Sequence, residues 1–376
     1  MSLLYDTSTR DRGDGTSWDG EWEGGEAMKF GILSLLDHYP EDCSEEQYYK
    51  NFLEEVTYAE ELGFDSVWIG EHHFDRYICP APQIVAAAIA QRTTKMRIGT
   101  AIVLLPHHNP IRLAEDYALV DLLSGGRLDF GVGRGFIKAT YDSFNQAMGE
   151  SRERFQEGLE IIKRAWTQET FSYEGKFHTF RNVTVLPRPV QKPMPPIYMA
   201  AAISPESFVN AGKQGHSLLL APFLQPFSTL KEQVQLYRQA LIQAGHAPDS
   251  VDIVAGYHSF VDETPEQARR TWEAHYMRYL HFVGSLLAPS EELDPTQYAS
   301  WQGRGEGLRQ ITFEQMYPDQ VLCGDPGQCV DRVALLREEL GVTHFHVYMD
   351  LGGLDQWALR SSMERFATRV IPQFRM

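Results

Sequence analysis

The sequence predicts a single α/β domain in which eight parallel strands and their helices close into a (β/α)8 barrel, the TIM-barrel architecture. From residue 29 onward, short β-branched runs alternate with long amphipathic stretches, and eight such pairs can be counted. This order is typical of parallel strands joined by right-handed crossovers. The chain has 376 residues, which is long enough for one such barrel. A doubly wound open sheet is the alternative.

The first four strand–helix units follow one another without interruption. In each unit, an apolar run is followed by a stretch whose apolar residues recur at helical spacing. Ser44 and Gln47 form a capping box at the start of the first helix, and Gly63 ends it. Strands are predicted at 29–35, 65–70, 97–105 and 127–133, and helices at 44–63, 82–93, 110–126 and 150–166.

Two insertions interrupt the second half of the barrel. Residues 171–189 alternate at period two around Gly175, which predicts a β-hairpin on the barrel rim. Residues 285–320 are polar and rich in Gly and Pro, and predict a long lid loop before the last unit. The remaining strands are predicted at 195–201, 216–222, 251–260 and 341–349, and the helices at 204–215, 229–245, 265–284 and 355–374.

The composition argues against several classes of function. A net charge of −17 disfavours nucleic-acid and anionic-membrane partners, and no apolar stretch reaches the ~20 residues of a membrane span. We find no signal peptide and no C-x-x-C spacing among the four cysteines, so we expect a soluble cytoplasmic protein. Residues 1–27 hold seven acidic and two basic residues, which predicts a disordered acidic extension ahead of the barrel domain at 28–376.

Ionisable side chains gather where the second strand ends. Glu71, His72 and His73 directly follow an apolar run, and such groups are costly to bury unless they are paired, ligated or used in chemistry. In a barrel of this kind, the active site lies at the C-terminal ends of the strands. We therefore expect these three residues to belong to an active site, with hydrogen-bonded packing at the strand end as the alternative for Glu71 and His73.

A metal site is one alternative for the histidines. Neighbouring side chains on an extended segment point to opposite faces, so the adjacent pair His72 and His73 cannot easily bind one ion. The pair His107 and His108 has the same difficulty. A metal would need one histidine of each pair together with an acidic residue, and we predict no metal ligand.

Two further motifs point to an anion. GVGRGF (131–136) places glycines and Arg134 at a strand end, where backbone can approach a ligand and the guanidinium can bind it at two points. In SPES (204–207), Ser204 suits a helix N-cap, Pro205 the first helical position, and Ser207 adds a hydroxyl. Together they predict a phosphate site between consecutive barrel units.

In combination, these motifs resemble the bacterial-luciferase-like flavin-dependent monooxygenase family, which includes the luciferase α subunit. The segments that carry the resemblance occur in the expected order across nearly all of residues 28–375. They are MKFGIL (28–33), GFDSVWIGEHHF (63–74), IGTAIVLLPHHNPIRLAEDYALVDLLSGGRLDFGVGRGF (98–136), PPIYMAA with SPES (195–207) and GDPGQCVDRVALL (324–336).

The resemblance implies an FMN-dependent enzyme, usually a homodimer, that oxygenates a small organic substrate with O2 through a C4a-hydroperoxyflavin. Reduced FMN would come from a separate NAD(P)H:flavin reductase. His72 matches the histidine that acts as catalytic base or stabilises the flavin intermediate, with Glu71 as its orienting partner and His73 in support. Apolar side chains would line the pocket and keep water out of it: Leu33, Leu35, Leu104, Leu105 and Phe136.

The resemblance also implies a set of flavin-binding residues. Arg134, between Gly133 and Gly135, matches the arginine at the flavin phosphate. Ala101–Ile102 matches the position of a non-proline cis peptide beneath the isoalloxazine ring. The rest of the phosphate cradle corresponds to Ala202, Ile203, Ser204 and Ser207.

The chain departs from the luciferase α subunit at two positions near the flavin. Gly133 replaces a reactive cysteine, and Ile137 replaces an aromatic residue. We therefore do not expect light emission or an unchanged long-chain aldehyde substrate. A deazaflavin-dependent hydride-transfer oxidoreductase, a non-catalytic flavin-binding protein and a metal-dependent barrel hydrolase are the alternative functions.

Overall fold

The protein is described by a computed structural model that covers residues 27–294, 298–317 and 319–375. Eight parallel strands form a closed barrel of β1, β2, β3, β5, β8, β9, β10 and β12, in which β12 pairs with β1. The predicted (β/α)8 barrel is therefore confirmed, and the open sheet is wrong. The strands are β1 Lys29–Ser34, β2 Ser66–Ile69, β3 Arg97–Thr100, β4 Val103–Leu104, β5 Leu128–Gly133, β6 Phe171–Glu174, β7 Thr179–Val183, β8 Ile197–Ala201, β9 Ser217–Leu220, β10 Ile253–Val261, β11 Leu322–Gly324 and β12 His344–Tyr348.

The helices pack around the barrel, and their ends follow local chemistry. The hydroxyl of Ser44 caps the first helix, and Gly63 ends it with a positive φ of 87°, a conformation that glycine adopts at no steric cost. The helices are α1 Glu45–Leu62, α2 Pro82–Ala90, α3 Pro110–Ser124, α4 Lys138–Ser143, α5 Ser151–Thr167, α6 Pro205–Lys213, α7 Phe227–Gln243, α8 Pro265–Leu286, α9 Arg304–Gln310, α10 Phe313–Met316, α11 Pro326–Leu340 and α12 Gln356–Arg365.

Large side chains fill the interior of the barrel below its C-terminal mouth. Trp68 is fully buried and packs edge-on against Tyr198, with ring centroids 4.9 Å apart. The indole lies so close to Gly99 that a Cβ there would come within 2.1 Å of it. Trp68 and Tyr198 therefore fill this part of the barrel interior, and the open space lies towards its C-terminal side.

Both predicted insertions are present. β6 and β7 form the predicted antiparallel hairpin, and the carboxylate of Glu157 on α5 accepts backbone N–H bonds from Lys176, Phe177 and His178 in its turn. Residues 285–320 contain the short helices α9 and α10 rather than only loop. The prediction for residues 1–27 concerns positions that lie almost entirely outside the described residues.

One strand–helix pair was missed by the sequence analysis. β11 pairs with β10, and α11 follows it with Pro326 at its first position and a capping box between Asp325 and Gln328. A strand of three residues has no detectable periodicity. The capping box was a usable signal in the GDPGQ motif.

Candidate active site

A cavity of about 230 Å³ opens at the C-terminal ends of the barrel strands. Its walls are mainly apolar, and Phe136 stacks on Trp301 with ring centroids 4.3 Å apart. Of the leucines expected to line the pocket, Leu105 alone does not. The predicted site residues that line the cavity are Glu71, His72, Ala101, Ile102, Arg134, Gly135, Ala202, Ile203, Ser204 and Ser207.

The peptide bond between Ala101 and Ile102 is cis, as the resemblance implies, and forms part of the cavity wall. The carbonyl of Ile102 accepts a 3.0 Å hydrogen bond from the backbone N–H of Glu71. Gly133 lies behind this wall rather than in it. A Cβ at position 133 would come within 2.0 Å of Ile102 Cδ1, so the isoleucine side chain occupies the space that a larger residue would need.

The carboxylate of Glu71 is buried and holds three partners. Its Oε1 accepts hydrogen bonds from Nε2 of His73 at 2.8 Å and of His108 at 2.7 Å, and its Oε2 accepts one from the backbone N–H of Leu104 at 2.9 Å. Burial alone would raise the pKa of Glu71, but the bonds from His108, His73 and Leu104 outweigh it and lower this pKa to about 2. The carboxylate is therefore ionised across the physiological range.

His72 faces the cavity, whereas its neighbour His73 faces Glu71. The ring of His72 stacks on Tyr77 with centroids 3.9 Å apart, and among the described residues its nitrogens have no hydrogen-bond partner. Burial lowers the pKa of His72 to about 4, so the imidazole is neutral near pH 7 and one nitrogen can accept a proton. The expectation that Glu71 orients His72 is not met, because that carboxylate bonds to His73 and His108 instead.

Positive charge and helix N–H groups meet at one end of the cavity. The guanidinium of Arg134 lies 5.4 Å from the ring centroid of Tyr298 and donates a 3.4 Å hydrogen bond to the Ser151 hydroxyl. Across from it, α6 begins after Ser204. The Ser204 hydroxyl donates to the carboxylate of Glu206, and this bond, the Glu206 N–H and the charges of Arg152 and Arg134 lower the pKa of Glu206. The carboxylate of Glu206, which does not itself line the cavity, thus already occupies one hydroxyl at this end.

Several cavity residues were not identified from the sequence as site residues. His107 lines the cavity while its Nδ1 is paired with Gln146 Oε1 at 2.7 Å. It follows a strand end and could have been selected on position. Tyr77 and Tyr279 lie beyond the strand ends, the latter on α8, and no sequence pattern marks them. Within the described ranges, no group of three or more His, Cys, Asp or Glu could hold a metal ion.

Comparison with known proteins gives the family. The model of the luciferase-like monooxygenase family matches residues 28–344, which is most of the chain. The chain belongs to this family. Its described helices include none that is long and apolar enough to cross a membrane.

Curated relatives of this luciferase-like chain match over nearly its whole length. The oxygenase component of the flavin-dependent trigonelline monooxygenase of Acinetobacter baylyi is 26% identical, and the match covers 92% of this chain and 96% of the relative. The alkanal monooxygenase alpha chain of Photorhabdus luminescens is also 26% identical, with the same coverage.

Solved structures agree with this assignment. The monooxygenase RslO1 of Streptomyces bottropensis superposes with a TM-score of 0.81 at 32% identity, and the match covers 92% of this chain and 100% of that one. An F420-dependent secondary alcohol dehydrogenase shares the fold, with a TM-score of 0.73 at 19% identity and coverage of 93% and 100%. The fold of this luciferase-like chain is thus shared with an F420-dependent enzyme as well as with a monooxygenase.

We predict that, in the acid range, the free energy of unfolding depends less on pH in the Glu71→Gln variant than in the parent protein. A carboxylate with a depressed folded-state pKa stabilises the protein above its unfolded value of 4.5, and that contribution is lost as the pH falls towards 2. Urea unfolding should show the variant about 3 kcal/mol less stable at pH 7, with the gap narrowing to roughly half by pH 3 and closing towards pH 2. The exposed Glu46→Gln is the control and should show no such convergence. A gap that stays constant with pH would contradict the prediction.

Proposed function

We propose that this chain is the oxygenase component of a two-component FMN-dependent monooxygenase, supplied with reduced FMN by a separate flavin reductase. The observation that carries the proposal is one continuous cavity that has the Arg134 guanidinium and the N-terminus of α6 at one end and an unpaired, neutral His72 in its wall. The name of the Acinetobacter relative, an oxygenase component, supports the two-component arrangement.

The donors in the cavity fit the phosphate of FMN. Arg134 can bind two phosphate oxygens, and the N-terminus of α6 with Ser204 and Ser207 adds N–H and hydroxyl donors. The carboxylate of Glu206 now bonds to one of these hydroxyls, so a phosphate would displace it. The backbone at Ala202 and Ile203 would continue the cradle. Bound FMN supplies the electron pair that activates O2.

The protein's own contribution to the chemistry is proton handling and exclusion of water. His72 would accept and return a proton at an imidazole nitrogen that no described residue engages. The apolar walls, with Trp301 and Leu287 at the lid side, would keep bulk water from the reacting centre. Glu71 and His73 would act by holding the surrounding loops rather than by touching the substrate.

A homodimer is also proposed, on the basis of an apolar patch on the outer surface of α2 and α3. Ile84, Leu119, Leu122 and Leu123 are exposed there, and the three leucines are spaced three and four residues apart on one helix face. Large apolar side chains exposed on one helix face favour a protein interface.

FMN and riboflavin, which lacks the phosphate, should distinguish the anion site from the rest of the cavity. We expect Arg134→Ala to weaken FMN binding roughly tenfold or more through loss of a charge-assisted contact. We expect Glu206→Gln to tighten it by roughly threefold, because a competing negative charge is removed. Riboflavin affinity should change in neither variant, and fluorescence titration measures all four cases.

Arg154→Ala is the matched control, because that guanidinium pairs with Glu150 outside the cavity. Failure of the parent protein to bind FMN in either redox state would overturn the proposed function. Preferential binding of F420 would favour hydride-transfer chemistry instead.

Replacement of His72 should separate chemistry from binding. We expect His72→Ala to lower the rate of flavin turnover about 100-fold, in the range of general acid–base catalysis, while the dissociation constant of FMN stays within about twofold. The measurement is turnover with FMN, NADH, a flavin reductase and O2, followed by flavin absorbance and peroxide release. Turnover at the parental rate would show that His72 is not the proton-transfer group.

The dimer predicts a specific surface effect. Leu122→Glu together with Leu123→Glu should convert the protein to a monomer, because charged residues would be desolvated at the interface. Light scattering after size-exclusion chromatography measures the mass. Leu236→Glu on α7, an exposed leucine outside the patch, is the control and should leave the dimer intact. A monomeric parent protein would contradict the proposal.

A further inference from the structure

A chain of buried tyrosine hydroxyls leads away from the cavity. Tyr77 and Tyr279 both line the cavity, and the hydroxyl of Tyr77 donates to that of Tyr279 at 3.2 Å. Tyr279 lies edge-on to Tyr348, with ring centroids 5.5 Å apart. Tyr348 in turn donates to Oδ1 of Asp37 at 2.8 Å.

Asp37 closes this chain as a buried carboxylate. It is 2% exposed, and its other oxygen accepts a 2.8 Å bond from the backbone N–H of Gly352. A β-bridge between Asp37 and Tyr77 fixes the two ends of the chain relative to each other. The mechanism proposed above uses neither residue, so this ordered array of polar groups has no assigned role.

The proposed reaction requires such a route because it consumes a proton. Anionic reduced FMN gives two electrons to O2, and together with one substrate molecule and one proton the products are oxidised FMN, the oxygenated substrate and one water. Without an organic substrate, the same flavin, O2 and proton give oxidised FMN and H2O2. A cavity with apolar walls holds little water to supply that proton.

We propose that Tyr77, Tyr279, Tyr348 and Asp37 form a proton path that delivers this proton from a buried store at Asp37 to the cavity. The inference rests on the proposed function. In the ionised state, the hydroxyls of Tyr77 and Tyr348 both donate along the chain towards Asp37. When Asp37 is protonated it donates to Tyr348, the hydroxyls turn, and Tyr77 presents a proton to the cavity beside the ring of His72. Asp37 is left as the carboxylate, ready to take up the next proton.

The surroundings of Asp37 suit a group that exchanges protons near neutral pH. Burial raises the pKa of Asp37 to about 6, although the hydrogen bonds from Gly352 and Tyr348 lower this pKa. Asp350, half-buried on the loop after β12, also has its pKa raised, to about 7, by burial and by the charge of Asp37. Asp350 could pass protons from solvent. The groups that face Asp37 and interact with it are Tyr39 on the same loop, Tyr48 on α1, Tyr77 after β2, Tyr279 on α8, and Tyr348 and Asp350 at the end of β12.

The first test follows oxidation of photoreduced FMN by O2 in stopped flow, with the full-length protein in excess and no organic substrate. The parental rate should fall as the pH rises through about 6, because the donor loses its proton. Asp37→Asn and Tyr279→Phe should be roughly tenfold slower than the parent near pH 5.5 and should match it near pH 8.5. Tyr276→Phe is the control: it removes a buried hydroxyl from the same helix that has no partner among the described residues.

The second test needs no cofactor. Infrared spectroscopy of the free protein should show a protonated-carboxyl band that titrates near pH 6 and is absent in Asp37→Asn. Tyr348→Phe should move its midpoint upward, since the carboxylate loses a hydrogen bond, whereas Tyr279→Phe should leave the band in place. If the Asp37 carboxyl is already ionised at pH 5, Asp37 is not a proton store and the proposal is wrong.

The outcomes separate the two proposals. If the parent binds FMN but Asp37→Asn and Tyr279→Phe follow the same pH profile as Tyr276→Phe, the path is wrong and the proposed function stands. If the parent binds no FMN, both the function and the proton's role in it are wrong. If Tyr279→Phe loses the pH dependence of FMN oxidation but keeps the carboxyl band, the path is supported. Asp37 then still takes up a proton but no longer delivers it to the cavity.

Discussion

The candidate site depends on one buried carboxylate. Glu71 joins the end of β2 to the segment after β3 twice, through its backbone N–H to Ile102 and through its side chain to the N–H of Leu104. The same side chain bonds to His73 and His108. A buried charge is costly unless it is fully paired. Here, each hydrogen bond that offsets this cost also fixes a loop of the cavity wall.

The packed interior of the barrel supports the polar groups at its open mouth. Trp68 and its neighbours fill the interior, so the polar groups above them are held at fixed heights on rigid strands. At the mouth, Arg134 and the start of α6 come from the loops after β5 and β8, whereas His72 and the tyrosines come from the side of β2 and α8. The two kinds of chemistry thus lie at different parts of one cavity.

Much of the fold and part of the candidate site could be predicted from the sequence, because local sequence patterns determine them. Alternating strand and helix periods predicted the barrel, and strand ends pointed to His72, Arg134 and the start of α6. The partners of Glu71 could not be predicted in full. The spacing of two residues puts Glu71 and His73 on the same side of an extended chain, but His108 reaches them only through the closed barrel. Tyr279 was missed for the same reason: it lies on a helix face, and only tertiary packing directs that face at the cavity.

The contact between Gly133 and Ile102 has a consequence for how this pocket can vary. Because Ile102 Cδ1 fills the volume in which a Cβ at position 133 would lie, the two positions are size-complementary across neighbouring strands. A thiol cannot be added at 133 unless the isoleucine adopts another rotamer or becomes smaller. The missing side chain at 133 is therefore matched by the branched side chain at 102, which forms part of the cavity wall.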